Sequence, residues 1–237
     1  VVQQTQSGHD NSQSRKAWAL YADTRDRFIS LVRSLPESDV EMAVPITPGW
    51  TIREVTAHVC GLNADIASGM RTNMGSDERT SHQVSVRQDH SIDAICDEWL
   101  GHSEAVRLAF EPDPMFARRL ASDLVVHLQD VQHGLGIGVE TNDDATINGG
   151  RTYGELTPQR LLEQTGVSLR IELGEQAVFE APEPELVLRT NPYDFLRSVT
   201  GRRSQAQVRG LNWSAPPIAV LDQFCPYGPL RDDDAEI

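Results

Sequence analysis

Three side chains stand out by type and placement: His58, Asp123 and His127. His58 follows Val55 by three positions and precedes Leu62 by four, which puts it on the apolar seam of a helix. Asp123 and His127 are four apart and share one helix face with Leu120, Leu124 and Val131. A carboxylate on an inward stripe is costly unless it is paired or coordinated. Two imidazoles and a carboxylate on facing helices make a three-ligand set that leaves a metal's fourth position open for chemistry. Zinc suits these donors, and nickel, iron and manganese are compatible with them. Asp130, three residues past His127, is placed to orient an imidazole from behind. His102, beside Trp99 and Val106, is a rival ligand. The plain alternative is a satisfied core histidine plus a helix-surface ion pair of small energetic weight.

The elements that must carry these residues follow from periodicity. Trp18, Tyr21, Phe28, Leu31, Val32 and Leu35 predict a helix over about 14–35, stopped by Pro36. Thr51 and Glu54 form a capping box, flanked by Trp50 and Val55 at the positions of a hydrophobic staple. The helix they start runs through Ile52, Val59, Leu62, Ile66 and Met70. The polar stretch 71–90 reads as a loop. Ile92, Ile95, Trp99, Val106 and Phe110 predict a third helix. Asp113 and Pro114 start a fourth, with its stripe from Phe116 through Leu120, Leu124, Leu128, Val131 and Leu135. Gly134, Gly136 and Gly138 end that pattern, and the glycine-rich stretch 138–154 reads as a linker.

Beyond it the period changes to two. Val167, Leu169, Ile171 and Leu173 alternate with polar residues as a half-buried strand does. Residues 177–180 and 185–189 are further strand candidates. Pro192 opens a helix carrying Phe195, Leu196, Val199 and Val208, and the acidic tail from Asp232 to Glu236 reads as disordered. The expected fold class is α+β: a four-helix bundle over 12–138, followed by a small α+β domain over 152–230.

Composition narrows the partners. With 21 Lys and Arg against 35 Asp and Glu, the net charge is −14, which opposes binding to nucleic acid or to an anionic membrane. Cys60, Cys96 and Cys225 are scattered singly, which argues against a disulfide framework. The first two read as buried reduced thiols. No apolar run reaches membrane-spanning length, and the first sixteen residues lack the apolar core of a secretory signal, so the expected location is cytoplasmic. Nothing in the pattern specifies an oligomeric state.

Three segments resemble one family. PGWTIREVTAHV, from Pro48 to Val59, resembles the second-helix signature of the mycothiol-dependent maleylpyruvate isomerase family of the DinB-like superfamily. DLVVHLQDVQHGLG, from Asp123 to Gly136, resembles its fourth-helix signature. Pro192 to Trp213, with the pair Gly201-Arg202, resembles its C-terminal domain. The resemblance implies a DinB-like bundle with His58, Asp123 and His127 as ligands of a divalent metal. It implies mycothiol as thiol cosubstrate, and an isomerase or thiol transferase acting on a small electrophile. Arg202 matches a family arginine that assists an anionic substrate, and a guanidinium fork suits a carboxylate. Its bland reading is one member of a surface cluster with Arg203 and Arg209. The family's best-known isomerase has glutamate where this chain has Asp123, one methylene shorter, which bears on the metal and on the chemistry. Two other classes remain: a non-catalytic metal or small-ligand binding protein of the DinB-like superfamily, and a purely structural bundle.

Overall fold

The computed structural model describes residues 2–47, 49–175 and 177–234, with side chains described from residue 12 onward. Pro48 of the second-helix motif and the end of the acidic tail lie outside the described residues. The chain divides into two compact units, Val1–Val139 and Glu140–Ile237.

The first unit is helical. It comprises α1 (Val2–Ser34), α2 (Glu37–Val40), α3 (Ile52–Ala67), α4 (Asp77–Ser85), α5 (Ile92–Gly101), α6 (Ser103–Phe110) and α7 (Pro114–Gly134). α1 packs along α7, while α3 packs on α4, α5, α6 and α7. The long helices α1, α3 and α7, with α5 and α6 taking the place of a single third helix, make the bundle. The break falls at His102, which ends α5 and begins α6. Tyr21, Phe28, Ile52, Val55, Ile66, Ile95, Trp99, Phe110, Leu124 and Val131 are buried in its core.

Local chemistry explains the helix ends. Thr51 accepts a hydrogen bond from the Glu54 amide, and the Glu54 carboxylate accepts one from the Thr51 amide, so the capping box forms. Asp113 caps α7 by accepting from the Phe116 amide at 2.9 Å, with Pro114 in the first turn. α3 stops at Ala67, short of Met70, and Gly69 takes a left-handed φ of 90° just beyond it.

Two stretches read as irregular are helical. Residues 77–85 form α4, capped by Ser76, which accepts from the Arg79 amide at 3.3 Å, with Asp77 and Glu78 favourable in its first turn. Most of the stretch 138–154 belongs to α8 (Asp144–Thr165), capped by Asp143, which accepts from the Thr146 amide at 2.8 Å. Its glycines are packing residues. A Cβ on Gly150 would stand 2.9 Å from Pro192 Cα and 3.0 Å from the Pro192 carbonyl oxygen. One on Gly154 would stand 2.5 Å from the Phe179 ring. Glycine is required where another backbone or ring comes this close.

α8 opens the second unit. It is followed by β1 (Leu169–Leu173), β2 (Val178–Glu180), β3 (Leu186–Thr190), α9 (Pro192–Val199), α10 (Gln205–Arg209), β4 (Asn212–Trp213) and α11 (Ile218–Leu221). Among the described residues the strands form one sheet in the order β2-β1-β3-β4. β1 and β3 are parallel, Leu169 opposite Leu186 and Ile171 opposite Leu188, and the outer pairings are antiparallel. Leu169, Ile171, Leu173, Leu186 and Leu188 point into the core from alternate positions. The fold class is therefore α+β. Val208 does not continue α9: Gly201 turns the chain at φ 78°, and Ser204 caps a separate α10. The described part of the acidic tail is also held, since Asp233 pairs with Arg231 at 3.2 Å and Asp234 accepts from Ser204.

All three cysteines are buried thiols. No described helix is long and apolar enough to cross a membrane.

Candidate metal centre

α3 carries His58 and α7 carries Asp123 and His127, and the packing of these two helices sets His58 against His127. The imidazole rings of His58 and His127 meet edge to face, centroids 5.1 Å apart, and both side chains are buried. Trp50 lies against His58, tilted, with centroids 5.1 Å apart. Asp123 Oδ1 lies 3.7 Å from His127 Nε2, and the Asp123 side chain is 39% exposed. Asp130, fully buried on the next turn, places Oδ2 3.4 Å from His127 Nδ1 without aligning for a hydrogen bond. Arg202 belongs to the second unit, at the turn after α9, where its Nη1 donates to the Thr200 carbonyl at 2.7 Å. His102 stands at the α5–α6 junction with Nε2 3.6 Å from Glu98.

The donor set fits a divalent ion by chemistry and in part by geometry. Two donors bound at 2.0–2.1 Å to one tetrahedral ion stand about 3.3 Å apart. The 3.7 Å between Asp123 Oδ1 and His127 Nε2 is near that edge and too long for a hydrogen bond. Among the described residues, however, no group of three or more His, Cys, Asp or Glu is gathered closely enough to hold an ion as it stands.

Behind His58 lies a polar chain that the sequence did not signal. His58 Nδ1 is 2.8 Å from Gln83 Oε1 on α4, and both side chains are buried. Gln83 Nε2 donates to Asp65 Oδ2 at 2.6 Å and to the Met74 carbonyl at 3.2 Å. Asp65, on α3, accepts from Arg79 Nε at 2.8 Å. Burial pushes the Asp65 carboxyl up, but hydrogen bonds from Arg79 and Gln83 outweigh it and hold the group below the ordinary carboxylate value. Gln83 carries no signal in the sequence because α4 has almost no apolar stripe: its inward residue is an amide.

A second buried network braces the bundle beside the site. Tyr21 Oη donates to Asn63 Oδ1 at 2.6 Å and accepts from Trp99 Nε1 at 3.0 Å. Burial raises the phenol far above its usual value, so it stays neutral and can donate. Tyr21→Phe strands the indole N–H and the amide oxygen. We expect a loss of about 1–3 kcal/mol in chemical denaturation, as for any buried group left unsatisfied; an unchanged midpoint would show that water replaces the phenol.

Residues 21–111 match the family model described as Mycothiol maleylpyruvate isomerase N-terminal domain. The match includes His58 and ends before α7, so the placement of Asp123 and His127 rests on the geometry above. Two solved structures are similar: the mycothiol-dependent maleylpyruvate isomerase, and a histidine-to-alanine mutant of it. Each is 18% identical, with 89% of this chain and 93% of that chain covered, at TM-scores of 0.49 and 0.48 respectively. No curated protein matches the chain.

Proposed function

Starting from a chain whose residues 21–111 match the mycothiol maleylpyruvate isomerase N-terminal domain model, we propose that His58, Asp123 and His127 bind a divalent metal ion and that the protein activates a small thiol. The observation that carries this reading is the meeting of two buried imidazoles from different helices beside a carboxylate that reaches water. A core without such a role has little reason to set two imidazoles against each other with a carboxylate beside one of them. Zinc is the first choice for two nitrogens and one oxygen, and nickel the second. The ion's contribution, when bound, is to favour the deprotonated form of a coordinating thiol.

The protein's own residues have separable tasks. His58 and His127 supply neutral nitrogens from two helices whose packing fixes their separation. Asp130 lies against His127 Nδ1, which favours a proton on that nitrogen and leaves Nε2, next to Asp123, as the donor. Trp50 shields His58 from water. Asp123 stands on the open side, where a thiol and a small electrophile would arrive. Mycothiol is the thiol of this family and is proposed here on that ground. Arg202 is carried as a substrate-assisting arginine on the family resemblance alone, since a guanidinium fork suits a carboxylate. The reaction class is isomerisation or thiol transfer, in which the thiol sulfur adds to an electrophilic carbon and either leaves again or stays.

A second reading, a protein that holds a metal or small ligand without turnover, is favoured by the loose gathering of the donors among the described residues. Elemental analysis of protein purified without a metal-affinity tag tests the metal. We expect about one ion per chain, lost in His127→Ala with the helical signal kept, in line with a three-ligand site. Retention of a full equivalent by that variant would sink the ligand assignment. Conjugation of mycothiol to a model electrophile by the loaded protein then separates enzyme from binder.

A further inference from the structure

The polar chain Arg79–Asp65–Gln83–His58 ends on a nitrogen that the reaction chemistry above leaves unused. We infer that Gln83 is a positioning residue: it fixes the proton of His58 on Nδ1 and so presents Nε2 as the donor atom. The first half of this statement concerns the metal-free protein; the second rests on the metal reading of the site.

The end of the Gln83 amide that faces His58 decides the tautomer. Its nitrogen has two acceptors within reach, the Asp65 carboxylate at 2.6 Å and the Met74 carbonyl at 3.2 Å. Turning the amide over would set its oxygen against both of these acceptors and leave two donors lost. The amide oxygen therefore faces His58. An amide oxygen accepts and cannot donate, so the nitrogen at 2.8 Å from it must carry the hydrogen. In a neutral imidazole that leaves the other nitrogen, Nε2, with its lone pair.

The orientation is built in from both sides. Asp65 is oriented by Arg79, whose Nε donates to the same carboxylate oxygen that takes the Gln83 proton. The backbone of α4 is tied as well, since Arg87 Nη1 donates to the Gln83 carbonyl at 2.8 Å. A third feature points the same way. A Cβ on Gly61, one turn from His58 on α3, would stand 2.5 Å from Gln83 Cβ and 2.7 Å from Gln83 Cγ. The bare glycine is what lets α4 come near enough for an amide to reach the imidazole. A helix recruited only to cover α3 would use an apolar side chain here; this one spends its inward position on a single acceptor.

Nitrogen–proton correlation spectra of the imidazoles in the metal-free full chain read the tautomer directly, with the His58 signals assigned by their absence in His58→Gln. We expect wild-type His58 to be protonated on Nδ1. Gln83→Met, which removes the acceptor at similar volume, should move the proton to Nε2, the form an unconstrained imidazole side chain prefers. Exchanging the pair, Asp65→Asn with Gln83→Glu, keeps an acceptor on His58 and should restore Nδ1 protonation. A structural role alone would leave the tautomer unmoved in a folded Gln83→Met. That result, or Nε2 protonation in the wild type, overturns the proposal. Should Gln83→Met not fold, the wild type and the exchanged pair decide it, and loss of the Nδ1 proton in either one overturns it. Zinc titration supplies the second arm: affinity should fall by about 10–100-fold in Gln83→Met, the usual range for an outer partner of a ligating histidine. If wild-type protein takes up no zinc while the tautomers behave as stated, the metal reading falls and the role of Gln83 stands.

Discussion

Asp65→Ala is expected to lower the stability of the N-terminal unit by about 3 kcal/mol, measured by urea or thermal unfolding at neutral pH. Removing one partner of a buried ion pair typically costs 3–5 kcal/mol, because the other charge is left without compensation. The lower end applies because the Arg79 side chain remains 29% exposed and water can solvate it, whereas that of Asp65 is 3% exposed. The substitution also takes the acceptor from the Gln83 amide, a buried donor that then competes for the Met74 carbonyl alone. The sign of the pH dependence follows from the same contacts. The Asp65 carboxyl is held below its ordinary value in the folded chain. Its contribution is therefore fully present above the unfolded value, about 4, and is lost as pH falls through the lower folded one. Glu98 behaves alike: burial raises it, but the hydrogen bond from Arg87, 3.0 Å from Nε, holds it low. Wild-type stability should thus drop as pH falls below about 4, and the drop should shrink in Asp65→Ala. Parallel pH profiles for the two proteins would show that the pair is solvated in both states.

Gly150→Ala carries the second large effect and acts on the other unit. In an exposed helix interior, alanine is better than glycine by about 1 kcal/mol. Here the added methyl would meet Pro192 at three atoms, two of them backbone, which cannot rotate out of the way. Pro192 is also pinned as the first residue of α9 behind the Asn191 cap, whose side chain accepts from the Asp194 amide at 2.8 Å. Overpacking of this kind costs about 1–3 kcal/mol, so we expect net destabilisation in thermal unfolding despite the better helix propensity. Gly101→Ala is the internal control, since nothing lies within 4 Å of a Cβ there. It should be neutral or stabilising by about 0.4–1 kcal/mol. Equal shifts at the two positions would mean that α8 and α9 can slide apart at little cost.

What the sequence discloses of this fold depends on whether an element buries carbon or polar atoms. α3 and α7 are announced by their caps and apolar seams, and both begin where Thr51 and Asp113 say they should. The strand at Leu169–Leu173 shows its alternation plainly. α4 is invisible to the same reading because Val84 is its lone aliphatic residue and Gln83 its one buried side chain. α8 is hidden by glycines whose composition suggests a linker, although three of them mark close approaches by Leu196, Pro192 and Phe179. The candidate site divides in the same way. His58, Asp123 and His127 are legible from spacing and from the family signatures, and the packing of α3 on α7 sets the two imidazoles face to edge. Gln83, 25 residues from His58 and on another helix, has no periodic signal that could tie it to that residue, and Asp65, two turns along the same helix, meets His58 only through Gln83.

The burial of every cysteine has a bearing on the proposed chemistry. A protein that brings electrophiles to an external thiol exposes its own sulfur to the same reagents. Nucleophilic attack needs the thiolate. Burial pushes Cys60 up to about 12 and Cys96 up to about 11, and it raises Cys225 as well. At neutral pH the folded chain therefore offers almost no competing anion, and no ready route for a reagent to reach one. Self-alkylation becomes a consequence of opening: a modified Cys60 or Cys96 would record unfolding of the bundle, and a modified Cys225 would record unfolding of the second unit.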